Sequence, residues 1–230
     1  MKTIGVIVAV EIEAFVRTFG QPEEKRQECG FYIYQYSHND KNIIVCDSGA
    51  GEIAGAAAAQ YLISKYEAEV IINFGVAGGL TKDIKTYDNC IVKNVVHYDY
   101  DISEFGDFKV GQYMYKKDRF FEVDENLFKL TVEKFPTLKI VNCASGDKFI
   151  SKKEKRINYG KEFNCQICEM EAAGILITCR RNKIPCLMIK SISDSVVDGA
   201  NEFLDQADRA SDICFEIIEE VIDMIWFYYY

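Results

Sequence analysis

Short apolar or β-branched runs recur along the chain and alternate with stretches of helical spacing. The runs Ile4 to Val10, Phe31 to Tyr36, Ile43 to Asp47, Val70 to Phe74, Ile91 to His97, Lys139 to Cys143 and Pro185 to Ser191 predict strands. Between some of them, Glu52 to Lys65, Asp124 to Phe135, Glu171 to Asn182 and Asn201 to Trp226 predict helices. Several strands are continuously apolar rather than alternating, so both faces must be covered, as happens where helices flank a mostly parallel sheet. The pattern predicts an α/β fold, a mixed and mostly parallel central sheet flanked by helices.

Length and composition narrow this picture. With 230 residues and 49% of them apolar, the chain can build one substantial core. Only three prolines occur, and neither a low-complexity linker nor a repeat divides the sequence, which predicts a single domain over residues 1–230. The net charge is −9 and no stretch concentrates Lys or Arg, so nucleic acid and anionic membranes are disfavoured as partners and a small neutral or cationic ligand fits better. The run Ile4 to Val10 is followed by Glu11 and Glu13 without a small-residue cleavage site, and no other run has the length to span a bilayer; a cytoplasmic protein is expected. Nine cysteines scattered among apolar neighbours suit reduced core thiols. Cys165 and Cys168 form a C-x-x-C, but there is no second pair and His38 and His97 are distant in sequence, so the two read as packing residues and no metal or organic cofactor is expected. The terminal Ile225 to Tyr230 cluster is either an interface or a helix end packed on its own core.

Ligands of open α/β sheets sit beyond the carboxyl ends of strands, which directs attention to polar residues placed just after apolar runs. Four such places stand out: Glu11 and Glu13, the Gly75-Val76-Ala77-Gly78-Gly79 segment, Glu169-Met170-Glu171, and Ser193-Asp194. The segments I-G-V-I-V-A-V-E-I-E, S-G-A-G, V-I-I-N-F-G-V-A-G-G-L, D-Y-D-I-S-E-F-G, S-G-D-K-F-I, E-M-E-A-A and S-I-S-D follow one another through nearly the whole chain. In order and approximate spacing they resemble the 5′-methylthioadenosine/S-adenosylhomocysteine nucleosidases of the nucleoside phosphorylase superfamily. The resemblance implies a nucleoside phosphorylase-like fold and hydrolysis of the N-glycosidic bond, releasing adenine and a 5′-thioribose.

Such a reaction passes through a sugar of oxocarbenium character, so it needs carboxyl groups in different protonation states: a buried one to donate a proton and an ionised one to ready water. By resemblance, Asp194 is the acid that protonates adenine at N7 and Glu13 the base that activates water. Glu11 is left as a first-turn carboxylate facing the helix dipole. Glu171 resembles the clamp on the ribose 2′- and 3′-hydroxyls, with Met170 packed against the sugar. Phe149 resembles the aromatic that stacks on adenine, and the Ile150 backbone the group that pairs with the edge of the base. Val76, Ala77, Gly78, Ser193 and Lys190 fall on further binding positions. Phe105 resembles a residue that covers a neighbour's 5′-substituent, which implies a homodimer.

The pattern departs from the family at several places. Val76 stands where the family usually has Ser, and Lys190 where it has Arg, two groups that help hold the attacking water; Val offers no hydrogen bond, and Lys a point charge in place of a planar fork. Ala50 replaces a larger aliphatic residue, the loop from Asp194 to Phe203 is short, and a pocket-lining aromatic lacks a counterpart. Two other readings stay open. One is a phosphorylase using phosphate, for which Arg17, Arg26 and Arg119 are the nearest basic candidates; the other is a non-catalytic nucleoside sensor.

Overall fold

The continuous apolar runs form the middle of a sheet that, among the described residues, has ten strands: Thr3–Val8 (β1), Glu24–Glu28 (β2), Phe31–His38 (β3), Lys41–Asp47 (β4), Ala68–Gly79 (β5), Asn89–His97 (β6), Phe120–Glu122 (β7), Lys139–Ser145 (β8), Ile167–Glu169 (β9) and Cys186–Asp194 (β10). The computed structural model describes residues 3–39, 41–197 and 200–229. Among the described residues seven α-helices accompany the strands: Ile12–Phe19 (α1), Glu52–Lys65 (α2), Glu125–Lys134 (α3), Lys153–Phe163 (α4), Ala172–Asn182 (α5), Ala200–Phe215 (α6) and Ile218–Tyr229 (α7).

Parallel ladders carry the centre. β4, β1, β5 and β10 run parallel side by side, and β6, β8 and β9 form a second parallel set. Antiparallel pairs join the two sets, β10 to β6 and β5 to β9, while β2 and β3 extend the β4 edge. At 12 residues β5 is long enough to pair with β1 and β10 along its body and with β9 at Gly78 and Gly79. The strands β5, β10, β6, β8 and β9 thereby close a ring.

Helices cover both faces, as the unbroken apolar runs require; every residue of β1 and β10 is buried. On one side Leu62 of α2 and Ile175, Leu176 and Cys179 of α5 pack on Ile7, Ile71 and Met188. On the other, Phe15 of α1, Phe215 of α6 and Ile218, Val221 and Ile222 of α7 pack on Val6, Phe74 and Ile189. α2 and α5 approach so closely that a Cβ at Gly174 would lie 2.2 Å from the Glu52 carbonyl oxygen. Cys165 and Cys168 are buried free thiols, in an apolar cluster with Leu80, Tyr98, Ile150 and Phe163.

Several elements differ from the sequence expectation. The stretch from Asn201 to Trp226 is two helices, broken at Glu216 and Ile217. β2 has the sequence Glu-Lys-Arg-Gln-Glu and no buried residue; it pairs with β3 through its backbone and polar side-chain contacts such as Arg26 with Gln35, so no apolar pattern announces it. At the aromatic end, Ile225 is buried and the Lys41 ammonium lies 5.5 Å from the Trp226 ring. Tyr230 and the side chains of Tyr228 and Tyr229 lie outside the described residues. Among the described residues no helix is long and apolar enough to cross a membrane.

Candidate active site

A cavity opens at the carboxyl ends of β1, β5, β9 and β10. Its lining includes Glu11, Val76, Ala77, Gly78, Phe149, Ile150, Met170, Glu171, Ser193 and Asp194. Distant stretches of the chain thus meet around one space. Glu13 is not among them. α1 begins at Ile12, and Glu13, in its first turn, is exposed to solvent, while Glu11 just before the helix is 6% exposed and faces the cavity. Glu13, the carboxylate expected from the sequence to face the site, thus lies outside the cavity, and Glu11 takes the place on its lining.

The loop after β1 folds back on the Glu11 carboxylate. The amides of Ala9 and Val10 donate to Oε2 at 3.0 and 2.9 Å, and the Val76 amide donates to Oε1 at 2.9 Å. Gly75 makes this approach possible, because a Cβ there would stand 2.7 Å from Glu11 Oε1. The carboxylate thus takes its amides from the strand ends and makes no side-chain cap to α1.

Glu171 precedes α5 and does not cap it either; its Oε1 accepts the Gly51 amide at 2.9 Å across the cavity. Glu169 supplies the cap, its Oε2 accepting from the amides of Glu171 and Ala172 at 3.1 and 2.9 Å. Burial and the neighbouring Glu169 push the Glu171 carboxyl up to about 8, although Lys190 and the Gly51 amide oppose the shift. Lys190 does not line the cavity. It sits opposite Gly75 in the β5–β10 ladder, and its Nζ donates to Glu169 Oε2 at 3.3 Å. Burial favours its neutral form, but Glu169, Glu171 and Glu11 together outweigh that and raise its affinity for a proton, so the ammonium stays charged.

Asp194 ends β10 where the register shifts between Ile192 and Asp194, which turns its side chain toward Gly78. It is 1% exposed. Ser193 Oγ donates to Oδ1 at 2.5 Å, and the Arg156 guanidinium pairs with Oδ2. Burial raises the Asp194 carboxyl above its ordinary value, with Arg156 and Ser193 pulling against the shift. Gly78 keeps the corner open, since a Cβ there would come within 3.1 Å of Asp194 and 3.2 Å of Arg156.

The apolar wall holds Phe149, which is 48% exposed and stands edge-on to Phe203 with ring centroids 5.2 Å apart. Phe203 lines the cavity from the first turn of α6, a second aromatic beside Phe149. Phe105 is elsewhere: it is 77% exposed on the short turn Ser103–Phe105, beside a shallow depression lined by Ile102, Glu104 and Met114. Ala50 and Val10 lie at the exposed rim of the cavity.

Sequence reasoning did not single out Arg156. It lies in α4, whose Lys-Glu-Lys-Arg opening reads as a solvated helix; only the stripe Arg156, Gly160 and Phe163, all buried, marks an inward face. The basic residues weighed as phosphate ligands are engaged outside the cavity: Arg17 with Asp212 at 2.7 Å, Arg26 with Glu24 at 3.3 Å, and Arg119 with the Glu162 carbonyl.

The phosphorylase superfamily profile matches residues 3–223. An aminodeoxyfutalosine nucleosidase of Helicobacter pylori is 29% identical over 221 residues, covering 92% of this chain and 95% of the relative. A 5′-methylthioadenosine/S-adenosylhomocysteine nucleosidase of Staphylococcus haemolyticus is 30% identical over 232 residues, covering 96% of this chain and all of the relative. A crystal structure of the Helicobacter pylori 5′-methylthioadenosine/S-adenosylhomocysteine nucleosidase, complexed with a substituted pyrrolidinol, superposes with a TM-score of 0.91 at 26% identity, covering 96% of this chain and 98% of that one. The chain belongs to the phosphorylase superfamily, within the nucleosidase family that its motifs resemble.

Proposed function

We propose that the protein is a hydrolase that cleaves the N-glycosidic bond of a 5′-substituted adenine nucleoside, 5′-methylthioadenosine or S-adenosylhomocysteine, with water as nucleophile and no cofactor. The observation that carries this reading is the convergence of Glu11, Glu171 and Asp194, all at least nine-tenths buried, on one cavity with an aromatic wall. Adenine stacks on Phe149 and pairs with the Ile150 backbone. Asp194, the buried acid, gives a proton to N7, so the base leaves neutral. Glu171 grips the ribose diol and favours positive charge on the ring as the bond breaks. Glu11, oriented by three amides, takes a proton from the water that attacks C1′.

Water suits this floor better than phosphate does. Glu11, Glu169 and Glu171 are acidic, and the cations on the lining are already partnered, Lys148 with Asp99 and Arg156 with Asp194. A dianion there would meet carboxylates before it met a free guanidinium. Retention of acid, base and diol clamp together argues against a mere sensor.

Aminodeoxyfutalosine is a second substrate reading, favoured by the open 5′ rim at Val10 and Ala50 and by the Helicobacter relative. We further propose a cytoplasmic homodimer of single-domain subunits in which exposed Phe105 covers the partner's 5′ rim. The test incubates the protein with 5′-methylthioadenosine, S-adenosylhomocysteine, 5′-deoxyadenosine and aminodeoxyfutalosine, with and without phosphate, identifies both products by mass, and measures the molecular mass in solution. Free adenine and an unphosphorylated sugar are expected in both buffers. A sugar 1-phosphate, or stoichiometric binding without release, overturns the hydrolase.

A further inference from the structure

Arg156 is 1% exposed, and each of its nitrogens is spent on the region of the cavity assigned to the base. Its Nε donates to the Ile150 carbonyl at 2.6 Å. Nη2 pairs with Asp194 Oδ2, and Nη1 donates to the Ser195 carbonyl at 2.8 Å and lies 3.4 Å from the carbonyls of Gly79 and Asp194. One planar fork therefore spans the backbone that reads the adenine edge, the strand end that carries the acid, and the acid itself. Lys could not do this, because an ammonium is a point donor without a fixed fork.

Resting on the hydrolase reading above, we infer that Arg156 is a positioning residue for the proton donor: it fixes Asp194 relative to the base-reading Ile150 backbone and receives the carboxylate that forms when the proton leaves. In the step it serves, the O–H bond of the Asp194 carboxyl breaks and an N–H bond forms at N7. The C1′–N9 electron pair passes into the purine, the water oxygen bonds to C1′, and the water proton goes to Glu11. Asp194 is left as a carboxylate in a dry corner, where it would be costly without an opposite charge in contact. Arg156 on α4 supplies that charge.

Other groups face Asp194 from each neighbouring element. The Ser193 hydroxyl hydrogen-bonds to it within β10, the Cys168 thiol approaches from β9, and Glu202 faces it from α6. Glu202 is held away by the amide and hydroxyl of Ser195, at 2.8 and 2.7 Å. Burial and Glu202 both favour protonated Asp194, and Arg156 is the principal group opposing them. Without the guanidinium the acid keeps its proton to higher pH and gives it up less readily.

The test compares Arg156→Met and Arg156→Lys with the parent on two substrates: an adenine nucleoside, and a 4-nitrophenyl riboside with the same 5′-group, whose phenolate leaves unprotonated. For Arg156→Met, adenine release should fall about 100-fold, the size of a general-acid contribution. The alkaline limb of its pH profile should move up by about one to two units, the effect of losing an adjacent opposite charge. Release of 4-nitrophenolate should stay within about threefold, because that step needs no acid. Arg156→Lys should return the limb most of the way and lose about tenfold on the nucleoside alone, having kept the charge and lost the fork. Equal losses on both substrates with the limb unmoved mean a structural role and overturn the inference. Should Arg156→Met fail to fold, the Lys variant decides by the same comparison of substrates. A parent that releases no base from any nucleoside sinks the hydrolase reading itself; an active parent whose variants lose both substrates equally sinks only the role of Arg156.

Discussion

Glu171→Gln should destroy activity and, at the same time, stabilise the fold in a way that depends on pH. Glu171 is 7% exposed, and its carboxyl is raised from 4.5 to about 8, first by burial and then by Glu169. The folded protein therefore binds this proton more tightly than the unfolded chain does. The associated stability is fully present below pH 4.5 and drains away as pH rises toward 8. Integrating the linkage between those two values gives a penalty of about 1 kcal/mol at pH 5 and about 3 kcal/mol at pH 7. Glutamine removes the titration, fills nearly the same volume and keeps an amide oxygen for the Gly51 N–H. Relative to the parent, Glu171→Gln should gain about 2 kcal/mol between pH 5 and pH 7, which for a chain of this length is a widening of the Tm gap by about 4–8 °C. Thermal unfolding of both proteins by circular dichroism at half-unit steps from pH 5 to pH 8 reads this directly. A Tm gap that stays constant across the range would refute the reasoning, since it would mean that Glu171 titrates alike in both states. Nucleoside turnover should drop by at least about 100-fold in the same variant, because an amide offers only one acceptor oxygen to the ribose diol and cannot ionise as positive charge develops on the sugar.

The other predictions concern the acid, the base and the water. Glu11→Gln should reduce kcat by about 100-fold or more, while Glu13→Gln, altering an exposed residue of α1, should stay within about twofold; the reverse order of effects would return the base role to Glu13. Asp194→Asn should abolish adenine release while nucleoside binding, followed by calorimetry, remains within about tenfold of the parent, and unchanged turnover would remove Asp194 from the acid role. Val76→Ser places a hydroxyl on the cavity wall beside Glu11 and should raise kcat severalfold by helping to hold the attacking water. A slower Val76→Ser enzyme would show that the water is held by another arrangement.

Much of this site was legible in the sequence because most of its groups follow strands. Asp194, Ser193 and the segment from Val76 to Gly78 come at the carboxyl ends of apolar runs, where a flanked sheet leaves its open crevice. That Glu11 and not Glu13 reaches the cavity has a local cause. Two carboxylates two residues apart straddle the start of α1, and whether the first faces the cavity depends on where the helix begins and on a Gly at position 75 of another strand, a contact 64 residues away. Phe203 and Arg156 escaped for a different reason. Arg156 lies in a helix whose buried residues are Arg156, Gly160 and Phe163, too narrow a stripe for periodicity to signal, and Phe203 stands half-buried at the start of α6, ahead of the buried Ala210, Ser211, Cys214 and Phe215 that mark its inward face. The strand β2 has no buried residue and so no apolar pattern to read.

The floor of the cavity ties these observations together. Three carboxyl groups, Glu11, Glu169 and Glu171, surround a single buried ammonium, that of Lys190; the acidic surplus raises the proton affinity of Lys190, and burial first, then Glu169, raises that of Glu171. A folded protein has no structural reason to gather more acid than base in a buried place; replacing such groups by apolar ones usually costs little or even stabilises. The surplus makes sense when positive charge arrives with the reaction. A sugar of oxocarbenium character brings it to C1′ as the base departs, and the acidic floor is already in place, needing no reorganisation. The same surplus opposes phosphate, the nucleophile of the superfamily's phosphorylases, so a single electrostatic feature both favours the bond-breaking step and selects water to complete it.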